Sequence, residues 1–123
     1  MSQPEVPDGA PFELESVKVG SDAVVVRMKG DADLHNAPAL RDALERAIGE
    51  GAMTVVVDLT GVTFVDSMML GVLLGAVRRL RLKGGEMRIA VDDPHVRRIF
   101  EMTLLDRVFS LCPSLHSALE HVE

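Results

Sequence analysis

TVVVDLTGVTFVDSMMLGVLLGAVRRL, residues 54 to 80, is the stretch that decides the fold, because its apolar period changes once and at a definable place. Thr54-Val55-Val56-Val57 is a short, β-branched, continuously apolar run. A run of this kind keeps no polar face for water, so it predicts a strand covered on both sides and central in a sheet. Past Asp66 the spacing differs: Met69, Val72, Leu73, Ala76, Val77 and Leu80 stand at i, i+3, i+4, i+7, i+8 and i+11. That is one stripe of a helix, beginning near Ser67 and ended by Gly84-Gly85.

Upstream, Phe12, Leu14 and Ser16, then Val17 and Val19, predict a strand with a register irregularity. Gly20-Ser21-Asp22 supplies turn chemistry before a second strand, Val24 to Lys29, and the pair reads as a hairpin ending at Gly30. From Pro38 the period is helical, with Leu40, Ala43, Leu44, Ala47 and Ile48 on one stripe and Gly49 and Gly51 closing it. Downstream, Met87 to Val91 predicts a strand. Pro94 to Met102 predicts a short helix started by Asp92 or Asp93 and Pro94, and Val108 to Leu111 a last strand or extended piece. Leu115, Ala118, Leu119 and Val122 predict a closing helix with Ser114 as its N-cap.

Strands alternating with helices imply parallel strands joined by right-handed crossovers, and the opening hairpin makes the sheet mixed. The expected fold class is α/β: a single domain, residues 12 to 123, with a mixed, mostly parallel sheet of four to five strands packed with about four helices. Residues 1 to 11 hold three of the six prolines beside Gln, Asp, Glu and Gly. They bury too little apolar surface to offset ordering, and are expected to form a loose leader.

Composition bounds the function. At 123 residues and 47% apolar content the chain has one core and no room for a second. It has no Trp and no Tyr, which argues against base-stacking platforms and aromatic ligand boxes. The net charge of −6 disfavours direct nucleic-acid binding. That charge is unevenly spread: −7 over residues 1 to 71, +4 over 72 to 98 and −3 over 99 to 123. The lone Cys112 fits a reducing compartment and reads as a small packed apolar residue. No stretch reaches the roughly 18 apolar residues of a membrane span and the start lacks a signal-peptide pattern, so a cytoplasmic location is expected.

In open α/β sheets, function gathers at the carboxyl ends of strands. Gly30-Asp31-Ala32-Asp33 follows one strand, and Asp58 to Ser67 follows another. If those strands are neighbours, Asp31, Asp33, Asp58, Asp66 and Ser67 gather at one edge. Ser67 stands out because the first turn of a helix has unpaired N–H groups and a dipole that favours negative charge. A phosphate there is tolerated by the fold and adds about −1.5 to −2 charge beside Asp66. The plainer reading makes Asp66 or Ser67 the helix cap, and the two are compatible. Met68, Leu70, Gly71 and Leu74 leave the first two turns of the helix apolar nearly all round, which means either a sandwiched helix or an exposed partner patch.

Other constellations are weaker. His35, His95, His116 and His121 lack metal-ligand spacing. No G-x-S-x-G elbow surrounds Ser67, and no G-K-[ST] follows the glycines, so neither a hydrolase nor a phosphate-binding loop is indicated. Arg78, Arg79, Arg81 and Lys83 read as a solvated last turn or as a site for an acidic ligand. Asp31 and Asp33 offer a carboxylate pair for catalysis or metal binding, but two acids at i, i+2 are common in turns.

These segments resemble the STAS domain family, specifically the stand-alone anti-sigma factor antagonists of bacteria, over about residues 12 to 121. Gly30-Asp31-Ala32-Asp33 with Ala37 and Leu40 resembles the family's segment before its first helix. Val55 to Leu59 with Val62 to Ser67 resembles its central strand and phosphorylation loop, and Leu70 to Gly75 the helix after it. Pro94, Val96, Phe100 and Leu105 match the later segment. The resemblance implies a switch without enzymatic activity. The unphosphorylated protein binds an anti-sigma factor serine kinase and frees its sigma factor; phosphorylation abolishes binding, and a phosphatase resets it. Ser67 aligns with the phosphoacceptor, Asp66 with its acidic neighbour, and Asp31 and Asp33 with the partner-facing loop. ATP and Mg²⁺ belong to the kinase, so this chain needs no cofactor. Met68-Met69 departs from the family's Ser or Thr followed by Gly, and places both methionines among the expected partner contacts. Two other readings stand beside this one: a constitutive STAS subunit docked through the Met68 patch on a transporter, and an aspartyl-phosphate receiver using Asp58.

Overall fold

The computed structural model describes residues 12–30 and 32–122. The expected leader, residues 1–11, lies outside them. Strands β1 (Glu13–Val19) and β2 (Ala23–Lys29) lead into helix α1 (Ala37–Gly49). Then come β3 (Thr54–Gly61), α2 (Ser67–Leu82), β4 (Glu86–Ala90), α3 (Pro94–Met102), a 3₁₀ turn at Leu105–Arg107, β5 (Ser110–Cys112) and α4 (Leu115–Ala118). The five strands form one sheet in the order β1-β2-β3-β4-β5. β1 is antiparallel to β2, and the later neighbours are all parallel. The mixed, mostly parallel sheet with four helices is the expected architecture.

The continuously apolar run lies in the middle, as its composition requires: Val55, Val56 and Val57 of β3 are fully buried. Alternate residues serve different layers. Val24, Val26, Val55, Val57, Met87 and Ile89 pack with the apolar stripes of α1, α2 and α3. Val25, Val56 and Ala90 pack on the opposite face with Ala118 of α4. α4 starts from the predicted cap, where Ser114 accepts from the Ser117 backbone N–H at 3.0 Å. The tight turn from α2 to β4 explains its glycine pair. Gly84 takes a left-handed φ of +82°, and a Cβ on Gly85 would lie 2.5 Å from the Met53 carbonyl oxygen.

Three expectations about elements are corrected. The β1–β2 ladder runs unbroken from Glu13↔Lys29 to Val19↔Ala23, so the parity change along β1 is not a register irregularity. It is a change of face: Phe12 and Leu14 join the helix-covered core while Val19 joins the α4 side. The ladder irregularity lies instead between β2 and β3, at Arg27/Lys29. The last strand starts at Ser110 rather than Val108, because the 3₁₀ turn carries through Val108 and Phe109, whose N–H groups both donate to the Leu105 carbonyl. Phe109 then meets Phe100 edge to face, with centroids 5.8 Å apart. α4 ends at Ala118, short of Val122, and the chain reaches a left-handed φ of 67° at His121.

Candidate functional site

Because β2 and β3 are parallel neighbours, the loops that follow them open at the same edge. A single parallel bridge, Ala32↔Val65, ties the two loops together, and the Asp66 N–H donates to the Ala32 carbonyl at 3.3 Å. Asp66 is the N-cap of α2, its Oδ1 accepting from the Met69 N–H at 3.1 Å. Ser67 is thereby the first residue of the helix instead of its cap. It is exposed, and its hydroxyl has no hydrogen-bond partner among the described residues.

Asp33 is half-buried and shapes the entry to α1. Its Oδ1 accepts from the His35 N–H at 3.0 Å and from Asn36 Nδ2 at 3.3 Å, while its carbonyl accepts from the Asn36 and Ala37 N–H groups. Asp31 lies outside the described residues. Asp58, expected with this acidic cluster, is elsewhere. It is 2% exposed, on the sheet face away from α2, and its oxygens are engaged by Arg27 Nε at 3.1 Å, the Thr60 N–H at 3.0 Å and Thr60 Oγ1 at 2.6 Å. A carboxylate so enclosed is a structural clasp, and the reading of Asp58 as a phosphoryl acceptor is not supported.

The helix period separates the two methionines. Met69 opens the buried stripe and is 1% exposed, so its side chain packs the core and offers a partner no surface. Met68, a hundred degrees around the helix, is 50% exposed. Two residues that the sequence reading did not single out join it. Leu34 in the first loop is 56% exposed and Phe64 in the second is 48% exposed. The available signal was that Phe64 sits between Val62 and Val65, whose burial leaves it nowhere to point but outward.

Ser67 also lies at one end of a groove of about 220 Å³ between α1 and α2, lined by Arg41, Glu45, Met68, Gly71, Val72, Gly75 and Arg79. Ser67, Gly71, Gly75 and Arg79 recur every four residues along α2, and a Cβ on either glycine would meet nothing within 4 Å. Helix-interior glycine costs about 0.5–1 kcal/mol relative to alanine, and no close packing among the described residues requires it at either position.

The basic excess of residues 72 to 98 is largely engaged within the fold. Arg79 pairs with Glu45 at 3.9 Å, Arg81 donates to the Val108 carbonyl at 2.7 Å and Lys83 to the Ile48 carbonyl at 2.9 Å. Arg88 reaches the Ala118 and Glu120 carbonyls, both at 2.8 Å. Burial pushes the Cys112 thiol above its ordinary pKa, against the pull of Arg88, as suits a packing residue. No group of three or more metal-ligating side chains occurs among the described residues, and no helix there is long and apolar enough to cross a membrane.

Comparison with known proteins agrees with this geometry. The STAS domain family model matches residues 15–118. The anti-sigma F factor antagonist of Paenibacillus polymyxa is 31% identical over 101 residues, covering 81% of this chain and 86% of that protein. The crystal structure of an anti-sigma factor antagonist from Mycobacterium paratuberculosis has a TM-score of 0.81 at 28% identity, covering 91% of this chain and 94% of that one. The Bacillus cell fate determinant SpoIIAA in its phosphorylated form has a TM-score of 0.71 at 25% identity, covering 92% of this chain and all of that one.

Proposed function

The chain belongs to the STAS domain family, and from that premise we propose that it is an anti-sigma factor antagonist whose binding is switched off by phosphorylation of Ser67. The partner is an anti-sigma factor that is also a serine kinase, met in the cytoplasm. Binding the unphosphorylated chain makes the anti-sigma factor release its sigma factor. The observation that carries this reading is the exposed Ser67 hydroxyl at the start of α2, without a partner among the described residues, with half-exposed Leu34, Phe64 and Met68 in the adjoining loops and first turn.

That arrangement suits a reversible contact. Fully burying an apolar side chain of this size contributes about 1.5–3 kcal/mol, so the three apolar residues supply affinity without a large interface. Ser67 directly precedes Met68 in the first turn of α2. In the modification step the bond from Ser67 Oγ to the γ-phosphorus of ATP forms as the bond to the ADP leaving group breaks, and the hydroxyl proton passes to a base on the kinase. About −1.5 to −2 charge then stands in the contact, beside the Asp66 carboxylate. Asp31 and Asp33 are the acidic partner contacts of this reading, and Met68 takes the apolar role expected of both methionines. A phosphatase removes the phosphate and restores binding.

Incubating the chain with its cognate anti-sigma kinase and Mg-ATP, followed by peptide mass mapping, should place a single phosphate on Ser67. Ser67→Ala should stay bound to the kinase and remain unmodified, and Ser67→Asp should bind at least about tenfold more weakly, a change of about 1.4 kcal/mol. Phosphate on another residue would sink the site assignment. Unchanged binding by Ser67→Asp would favour a constitutive subunit docked through the same patch.

A further inference from the structure

The groove beside Ser67 contains a cation that no described residue neutralises. Arg41 of α1 is exposed and has no hydrogen bond or ion pair among the described residues, whereas Arg79, the other arginine of the groove, is held by Glu45. Both helices connect parallel strands on the same side of the sheet, so they run in the same direction. Glu45 leans toward Arg79, twelve residues beyond Ser67, and Arg41 stands one turn before Glu45. Arg41 is therefore on the Ser67 side of that pair. Gly71 and Gly75 put no side chain into the space between, and their missing Cβ atoms would meet nothing within 4 Å.

We propose that Arg41 captures the phosphate of phosphorylated Ser67 within the same chain, across the α1–α2 groove. This rests on Ser67 being the modified residue. A guanidinium presents a fork of donors that fits two phosphate oxygens, and charge-assisted bidentate pairs of this kind are among the strong hydrogen bonds. The capture gives the switch a second component besides repulsion. The phosphate fills the groove, and Arg41 is no longer available to a carboxylate of the partner. Other described charged groups near the site are engaged elsewhere: Asp66 caps Met69, Asp33 closes the turn into α1 and has His35 Nδ1 at 3.8 Å, and Glu45 is balanced by Arg79.

The test uses full-length chain carrying phosphoserine at position 67, installed during translation at a reassigned codon, so that no kinase is involved. The second ionisation of that phosphate is followed by ³¹P NMR across pH 4 to 8. An opposite charge in contact favours the dianion, so Arg41→Gln should raise this pKa by about 0.3 units or more relative to the unsubstituted chain. Arg41→Lys should raise it less, and Arg79→Gln should leave it nearly in place. The unphosphorylated Arg41→Gln chain should melt at the same temperature as the unsubstituted one, which separates capture from a structural role. A change below about 0.3 units in Arg41→Gln, or an equal change in Arg79→Gln, overturns the proposal. Failure of a kinase to modify Ser67 would bear on the switch reading and not on this measurement.

Discussion

Met68 and Met69 are chemically identical neighbours with opposite consequences, because a helix rotates about 100° per residue. Met69→Ala removes a side chain that is 1% exposed and should cost about 2–5 kcal/mol in urea unfolding. Met68→Ala should change stability by less than about 0.5 kcal/mol, yet weaken binding to the anti-sigma partner several-fold in a titration. The opposite pattern would mean that α2 is rotated from its described position. Asp66 and Ser67 were legible as a helix start from local spacing, although the choice between them as cap needed the 3.1 Å bond to the Met69 N–H. Asp58 was misread because what decides its role lies in another strand: Arg27 is 31 residues away in sequence and becomes a neighbour only through the β2–β3 ladder. The same holds for Arg41, whose place in the groove that Ser67 also lines follows from helix packing and from no local motif.

Among the elements, β3 and α2 were readable because each obeys a single period over its length. β1 did not, because it divides its apolar residues between the two faces of the sheet, a division that only the partner layers define. α2 itself carries the clearest conflict between local propensity and fold. Gly71 and Gly75 weaken a sixteen-residue helix and no internal contact explains them. Gly71→Ala and Gly75→Ala should each raise stability by about 0.4–1 kcal/mol, since the new methyl groups meet open space. The same substitutions should reduce partner binding, because the groove floor rises by a methyl group. A chain that gains stability and keeps full affinity would show that the partner does not enter the groove.

Across the whole molecule the charges divide into those that hold the fold and those left for use. Glu15, Arg27 and Asp58 span the three strands β1, β2 and β3, with Asp58 buried and the other two open to solvent. Asp58→Ala should destabilise the fold by about 2–3 kcal/mol in chemical denaturation, below the 3–5 of a fully buried pair because Arg27 can return to water. A loss under about 0.5 kcal/mol would refute the clasp. The internal engagement of Arg81, Lys83 and Arg88 leaves the acidic loops around Ser67 as the face on which added negative charge has most effect. The central claim is that one phosphate on that face separates a bound from an unbound state. The most direct measurement is calorimetric titration of the anti-sigma partner with the unmodified chain and with chain carrying phosphoserine at position 67. The account predicts a Kd at least about a hundredfold weaker for the phosphorylated chain, roughly 2.7 kcal/mol; equal affinities for the two would contradict it.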